Sequence, residues 1–582
     1  MRFFKNRWTD TVSKNNPLPE YPRPQFRRDD WMCLNGQFEY AIKNSSVEWA
    51  NDYDGEILVP FAIESMLSGV ERNLYPNDRL WYRKKFVLPN KMHDKRILLN
   101  FGAVDWQCKV FINKALVGTH SGGYCSFSFD ITNYVNENEN ELVVCVYDPT
   151  DKGWQQRGKQ VLKTHGFWYT ATSGIWQSVW LESVNETYIE KIKLTPDIDN
   201  KILSIKTYTQ NSNCSVKATI YDNDNIILKN VVSLDDKISF NEIKLWSPEN
   251  PFLYDIKLEL IENGETADTV YSYFGMRKYS LDKDEYGVTR FFLNNKPYFQ
   301  KGLLDQGYWS DGGMTPPTDE AMIYDIQTAK NLGFNMLRKH IKIENDRWYY
   351  HCDKIGMLVW QDMVSGGEYI GTFLAGVLPI LHIKVNDSNY KAFNRDNKKW
   401  RDDYKNELNE MLNQLYNHTS ICCWVPFNEG WGQFDSAKIA NSIKKFDSTR
   451  LVDHASGWYD HGAGDINSMH KYILPIRKPH LDDRIFAITE FGGYSRIVSD
   501  HTWNERKSFG YQMYKYKDDL TKNYKKLFEN QIIPLIDKGL SATIYTQLTD
   551  VENEVNGIMT FDREHIKIDE RTLIDINKKL KF

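Results

Sequence analysis

From residue 297 onward, short apolar runs alternate with helical stretches eight times. The runs are 297–303, 334–340, 357–362, 421–428, 449–454, 465–470, 485–490 and 541–547. Parallel strands need crossover connections, commonly helices, so this alternation predicts a parallel sheet. Eight such units in roughly 300 residues is the number that closes a (β/α)8 TIM barrel. The first crossover, "TDEAMIYDIQTAKNLG", reads as a helix with Thr318 as N-cap. Its Met322, Ile326 and Ala329 share one face, with Ile323 at the edge. Barrel strands are buried on both sides, and their C-terminal ends carry active sites. Polar residues at those ends are therefore the candidates to inspect.

The chain before the barrel has another texture. Residues 1–183 hold "KRILLNFGAV", "CKVFINKALVG" and "NELVVCVYD", short β-type runs separated by Asn, Gly and Asp turns. They predict an N-terminal β-sandwich. "NENENE" at 136–141 is a charged turn. Residues 184–277 repeat β-type runs at the spacing of a small seven-stranded sandwich. The two prolines of "LWSPENPFLYDI" predict a loop entering an edge strand. This second block carries no chemical motif and reads as a spacer. The barrel is assigned 278–582.

Composition narrows the partners. A formal charge of −5 gives no reason to expect nucleic acid or an anionic membrane. No segment reaches the ~18 apolar residues of a membrane span. The N-terminus opens with Met and lacks an apolar signal region, which predicts a cytoplasmic protein. The eight cysteines match no zinc or redox spacing and read as buried thiols in a reducing compartment. Aromatic residues reach 14%, enough for two sandwich cores and for rings on which sugar faces stack.

The strand ends bring polar groups to one mouth. Asp305 follows strand one, with Trp309 four residues on; Arg338 and His340 lie on strand two, and Asp362 on strand three. Asn428 and Glu429 end strand four, followed by Gly430 and Trp431. His470 and Tyr472 follow strand six, Glu490 ends strand seven, and Tyr545 and Gln547 lie on strand eight. Each alone is weak, since a lone histidine is more commonly structural. Together they are hard to explain as structure, because burying so many ionisable groups without a task costs stability. Two carboxylates facing across a pocket suit glycoside hydrolysis, which needs one neutral acid and one ionised group. A gap of ~5–5.5 Å retains anomeric configuration and ~6.5–9.5 Å inverts it. Sequence leaves that gap open.

"VPFNEGWGQFD" and "AITEFGGY" resemble the acid/base and nucleophile segments of glycoside hydrolase family 2, the family of β-galactosidases, β-glucuronidases and β-mannosidases. "ILVPFAIESMLSGV", "SGIWQSVWLE", "FGMRKY", "KGLLDQGYWSD", "DKIGMLVWQDM" and "YTQLTDVENEVNGIMTFDR" are similar to it in the same order. The resemblance implies a jelly-roll sugar-binding-type domain at 1–183, an immunoglobulin-like sandwich at 184–277 and a catalytic barrel. It implies a retaining exo-β-glycosidase with Glu429 as acid/base and Glu490 as nucleophile. Asn428 would bond the sugar 2-hydroxyl, Arg338 would keep Glu490 ionised, Tyr472 would donate to it, and Trp431 would wall the pocket. Gly430, Gly492 and Gly493 would allow sharp turns beside the acids.

The chain departs from the family pattern in two places. After strand two, many members carry Arg-Thr-Ser-His-Tyr-Pro, whereas this chain has "LRKHIKIE", so His340 is an imperfect match. The Asn-x-Lys element of family glucuronidases is not found after strand eight; "NKK" at 577–579 falls in the last helix, and Arg563 or Lys567 would have to substitute. A neutral sugar follows, β-galactoside first, then β-glucuronide, β-mannoside and α-L-arabinopyranoside. A transglycosylase and a non-catalytic carbohydrate-binding protein are the readings from other classes. No metal site is read and no cofactor is required, although some relatives use Mg²⁺ or Na⁺ near the acid/base. Homo-oligomers are common in the family. The chain stops after the barrel, so the aglycone side is expected to be open or closed by a neighbouring subunit. The long stretch 494–519 is expected to form one wall of the site.

Overall fold

A computed structural model of the chain describes residues 3–582 apart from 369, 372, 382, 473–474 and 479–481. The eight barrel strands are β1 (Gln300–Asp305), β2 (Met336–Lys339), β3 (Leu358–Asp362), β4 (Ile421–Val425), β5 (Leu451–Val452), β6 (Ile466–Lys471), β7 (Ile485–Gly492) and β8 (Leu540–Thr546). They form one sheet in the order β5-β4-β3-β2-β1-β8-β7-β6, with every pairing parallel. The Asp465 N–H donates to Val452 O at 2.8 Å and joins the two remaining edges. All eight predicted runs are strands. The apolar ones are buried throughout, as strands covered by both core and helices must be.

Local chemistry sets the helix ends. Helix α1 (Asp319–Asn331) is capped by Thr318, whose hydroxyl accepts from the Ala321 N–H. Helix α2 (Asp346–Ile355) is capped by Asn345 and stopped by Gly356 at φ +80°. A meander of Tyr279–Lys283, Thr289–Leu293 and Lys296–Pro297 covers the N-terminal ends of the strands. Its Phe291 and Leu293 pack with Met336, Leu358, Trp360 and Ile544 in the barrel interior. Arg290 donates to Ile536 O and Leu540 O at 2.9 Å each, which ties the meander to β8. With this end plugged, the C-terminal mouth is the place left for a pocket.

The first block is a sandwich of a six-stranded and a four-stranded sheet over an apolar core of Leu80, Leu99, Phe101 and Val144 among others. The second is a seven-stranded sandwich of three and four strands. One expectation fails here. Tyr254–Glu262, the strand after the two prolines, is internal to its sheet, paired on both sides. Pro248 and Pro251 precede it and so remove no ladder bond. All eight cysteines are free, six of them buried. No helix among the described residues is long and apolar enough to cross a membrane.

Candidate active site

The barrel mouth brings the two acids together. The nearest carboxylate oxygens of Glu429 and Glu490 and a ring nitrogen of His470 all lie within 4.8 Å of one another. Among the described residues this is also the group whose donors lie close enough to hold a metal ion. Glu490 sits within β7 and is nearly buried, with 6% of its side chain exposed. Its Oε2 accepts from the Tyr472 hydroxyl at 2.6 Å and its Oε1 from Arg338 Nη1 at 3.2 Å. Glu429 is looser: 29% of its side chain is exposed, and His470 Nδ1 lies 2.8 Å from its Oε1. His470 thus stands between the acids, its Nε2 being 3.6 Å from Glu490 Oε1.

Arg338 organises the strand side. It is fully buried and donates to Asp362 at 2.9 Å, to Asn428 Oδ1 at 2.9 Å and to Thr489 O at 3.2 Å, besides Glu490. Asp362 in turn holds His340, with Nδ1 at 2.8 Å. Burial pushes the Glu490 carboxyl up, but His470, His340, Arg338 and the Tyr472 hydroxyl together hold it below the usual glutamate range. Burial pushes the His340 imidazole well below its ordinary range, whereas the Asp362 and Glu490 charges outweigh burial at Arg338 and keep it a cation. Burial, then the Glu490 charge, pushes the Tyr472 phenol well above its ordinary range, so it remains a donor.

Glu429 does not end β4. The strand stops at Val425, Asn428 makes a single bridge to Ser456, and Glu429 stands at φ +51° with its N–H donating to Ser456 O at 3.0 Å. That left-handed backbone turns the acid toward Glu490. Gly430 continues the turn at φ +72°, where a Cβ would lie 2.5 Å from the Tyr459 ring.

The pocket wall includes Asn428, Glu429, Trp431, Tyr472, Glu490 and His340 of the predicted set. Other predicted contacts lie elsewhere. Asp305 faces away from the mouth and pairs with Lys339 at 2.7 Å. Trp309 packs edge-on against Trp8 and lies under the Arg563 guanidinium. Asp362 and Arg338 are buried behind the wall and act on its residues, not on the pocket. His470 reaches the pocket only through the two acids. Tyr545 points into the layer of Phe491, Tyr524 and Phe528. Gln547 bonds Asn556 at 2.7 Å. His340 follows β2, and Gln547 follows β8, by one residue each.

The same wall holds residues not foreseen. Lys159, Phe167 and Trp168 come from the first domain, and Ile370 and Ala375 from the segment after β3. Leu304, Gln306, Ile341, Trp458, Thr546 and Glu554 also line it. The first domain thus helps to cover a mouth expected to be open or closed by a neighbouring subunit. Trp168 meets Trp431 edge-on at 5.0 Å, with Arg157 over both rings. Tyr511, within the long 494–519 stretch, stacks on Tyr472 at 3.8 Å and lines the pocket as expected.

A barrel fed by two sandwiches, with paired acids at its mouth, defines a class, and the comparisons agree with it. Residues 33–184 match the sugar binding domain of Glycosyl hydrolases family 2, 187–277 match Glycosyl hydrolases family 2, and 287–531 match its TIM barrel domain. The chain belongs to glycosyl hydrolase family 2. It is 27% identical over 389 residues to a β-galactosidase of Thermoanaerobacter pseudethanolicus, covering 64% of this chain and 47% of that protein. The chain spans about half the length of the curated relatives it matches first. It superposes on the β-D-glucuronidase of Dictyoglomus thermophilum with a TM-score of 0.75 at 16% identity, covering 96% of this chain and 99% of that one. For the β-glucuronidase of Bifidobacterium dentium the TM-score is 0.76 at 17% identity, over 96% and 98%.

Proposed function

We propose that this chain is a retaining exo-β-glycosidase that removes a terminal neutral sugar, a β-galactoside first among candidates. One observation carries the mechanism: the closest oxygens of Glu429 and Glu490 lie within 4.8 Å across one pocket. An inverting enzyme needs ~6.5–9.5 Å to admit water between its acids, whereas direct attack needs ~5–5.5 Å. Glu490, kept ionised beside Arg338, attacks the anomeric carbon as Glu429 protonates the departing glycosidic oxygen. Water, deprotonated by Glu429, then attacks the glycosyl ester, releasing the sugar and free Glu490. Asn428, held by Arg338, offers its amide to the 2-hydroxyl. Similarity to the T. pseudethanolicus β-galactosidase supports the galactoside. The β-glucuronidases that share its fold keep the glucuronide as the second reading.

A panel of nitrophenyl glycosides, with NMR of the first-formed sugar, tests this. A β-anomer as first product is expected; an α-anomer refutes the double displacement. Glu490→Gln should fall to background, because a neutral amide cannot form the glycosyl ester. Glu429→Ala should regain turnover of an activated substrate with azide and yield a β-glycosyl azide. Lack of rescue counts against Glu429 as acid/base. The route uses side chains alone, so dialysis against EDTA should leave the rate unchanged; a loss restored by Mg²⁺ refutes that.

A further inference from the structure

We infer that Glu554, with Gln306 and Trp431, forms a hydroxyl-reading subsite that selects an uncharged sugar. The inference rests on the glycosidase reading above and names what chooses its substrate. Glu554 follows β8, is buried to 3% exposure and lines the pocket of the acid pair. Two neutral donors orient it: Asn556 Nδ2 donates to Oε1 at 2.9 Å, and the Tyr169 hydroxyl of the first domain donates to Oε2. Burial, then the charge of Glu554, pushes the Tyr169 phenol well above its ordinary range, so it stays a donor.

Among the described residues Glu554 has no cation partner. A carboxylate offers about four lone-pair sites, so two remain after these bonds. A buried acceptor with capacity left over is costly unless another donor arrives. The same wall supplies the complementary groups. Among the described residues Gln306 Nε2 and Trp431 Nε1 are buried N–H donors without partners, at 2% and 7% residue exposure. Acceptor sites and donor sites on one wall match hydroxyl groups, which both give and accept. A sugar carboxylate placed there would meet Glu554 as a like charge. Half-buried Lys159 in the same wall is the cation that would hold such a carboxylate.

The test compares kcat/KM of wild type, Glu554→Gln and Lys159→Ala on nitrophenyl β-galactoside and β-glucuronide. Wild type should prefer the neutral sugar. Glu554→Gln should lose about 10–10²-fold on it, the range of a hydrogen bond to a charged group, and lose less on the glucuronide. Should that variant not fold, Gln306→Met and Trp431→Phe carry the test, because both leave the bonds of Glu554 intact. Each should raise KM for the neutral sugar several-fold. A folded Glu554→Gln with unchanged kcat/KM overturns the inference. So does an unchanged KM in both companion variants, or a glucuronide preference that Lys159→Ala abolishes. A wild type that cleaves no β-glycoside fails differently, by removing the glycosidase reading itself.

Discussion

The pocket has two walls of different origin. One stands on strand ends: Glu490 on β7 and, behind it, Arg338 on β2 and Asp362 on β3. The other is imported: Lys159, Phe167 and Trp168 from the first domain, Tyr511 from the stretch after β7, and Glu554 from the turn after β8. The strand wall is fixed by the parallel register, where Arg338 pairs with Trp360 and His470 with Glu490. The imported wall is fixed by contacts between segments hundreds of residues apart, such as Tyr169 with Glu554. The nucleophile and the groups that hold it sit on the rigid wall, with the acid/base on the turn just past β4. The groups that choose a substrate sit on the other, where sequence can change without disturbing the barrel.

The largest expected effect is on the strand wall. Arg338→Met strands Asp362 and Glu490 as buried acids, and removing one partner of a buried pair costs about 3–5 kcal/mol. Denaturant unfolding should show that loss, with activity at background. A variant that keeps wild-type stability would break the claim that charge pairing fixes this wall. Tyr472→Phe comes next. It removes a donor to Glu490 and so raises that carboxyl. Turnover should fall about 10-fold or more, the effect of one bond to a charged group. The acidic limb of the rate profile should move to higher pH, because Glu490 must be ionised to attack. An unmoved limb would make the hydroxyl a bystander.

On the imported wall the effects should be smaller and of another kind. Trp168→Ala removes an edge-on partner of Trp431, and such pairs contribute about 0.5–1.5 kcal/mol beyond buried area. KM should rise about 2- to 10-fold with kcat nearly constant. A fall in kcat alone would mean that the imported wall shares in the chemistry, and the contrast between the walls would dissolve.

The two walls also differ in how far the sequence reveals them. Barrel strands are legible because burial on both faces demands unbroken apolar runs, and Glu490 is legible as the acid that interrupts one. Within a strand, alternate residues face opposite sides, so a slip of one residue changes the face. Leu304 and Gln306 line the pocket, whereas Asp305 between them turns outward to Lys339. Arg338 and His340 turn inward while Lys339 turns outward. Thr546 faces the pocket, and Tyr545 faces the helices. Reading every polar residue at a strand end as a contact ignores this alternation, which explains the misplacement of Asp305 and Tyr545. Lys159, Trp168 and Glu554 were hidden for another reason. No period or strand end marks them: the docking of the first domain on the barrel brings Lys159 and Trp168 to the mouth, and the irregular turn after β8 brings Glu554.

The smallest expected effect probes that docked domain away from the site. Glu64 is buried in the first domain, its Oε2 accepting from the N–H of Ser173, close to the segment that supplies Lys159 and Trp168. Burial pushes its carboxyl up to about 8. Between the ordinary glutamate range and that value, the folded chain holds a proton that the unfolded chain has released. Stability therefore falls as pH rises through this window and levels off above it. Glu64→Gln keeps the shape and cannot ionise, so its melting temperature should decline less than wild type's between pH 5 and 8.5. The two should converge at about pH 3, below the ordinary glutamate range, where both side chains are neutral in either state. kcat/KM at neutral pH should be the same, because Glu64 does not line the pocket. If instead the variant changed KM as Trp168→Ala does, ionisation beneath the imported wall would be shaping the pocket, and the first domain would be more than a fixed support.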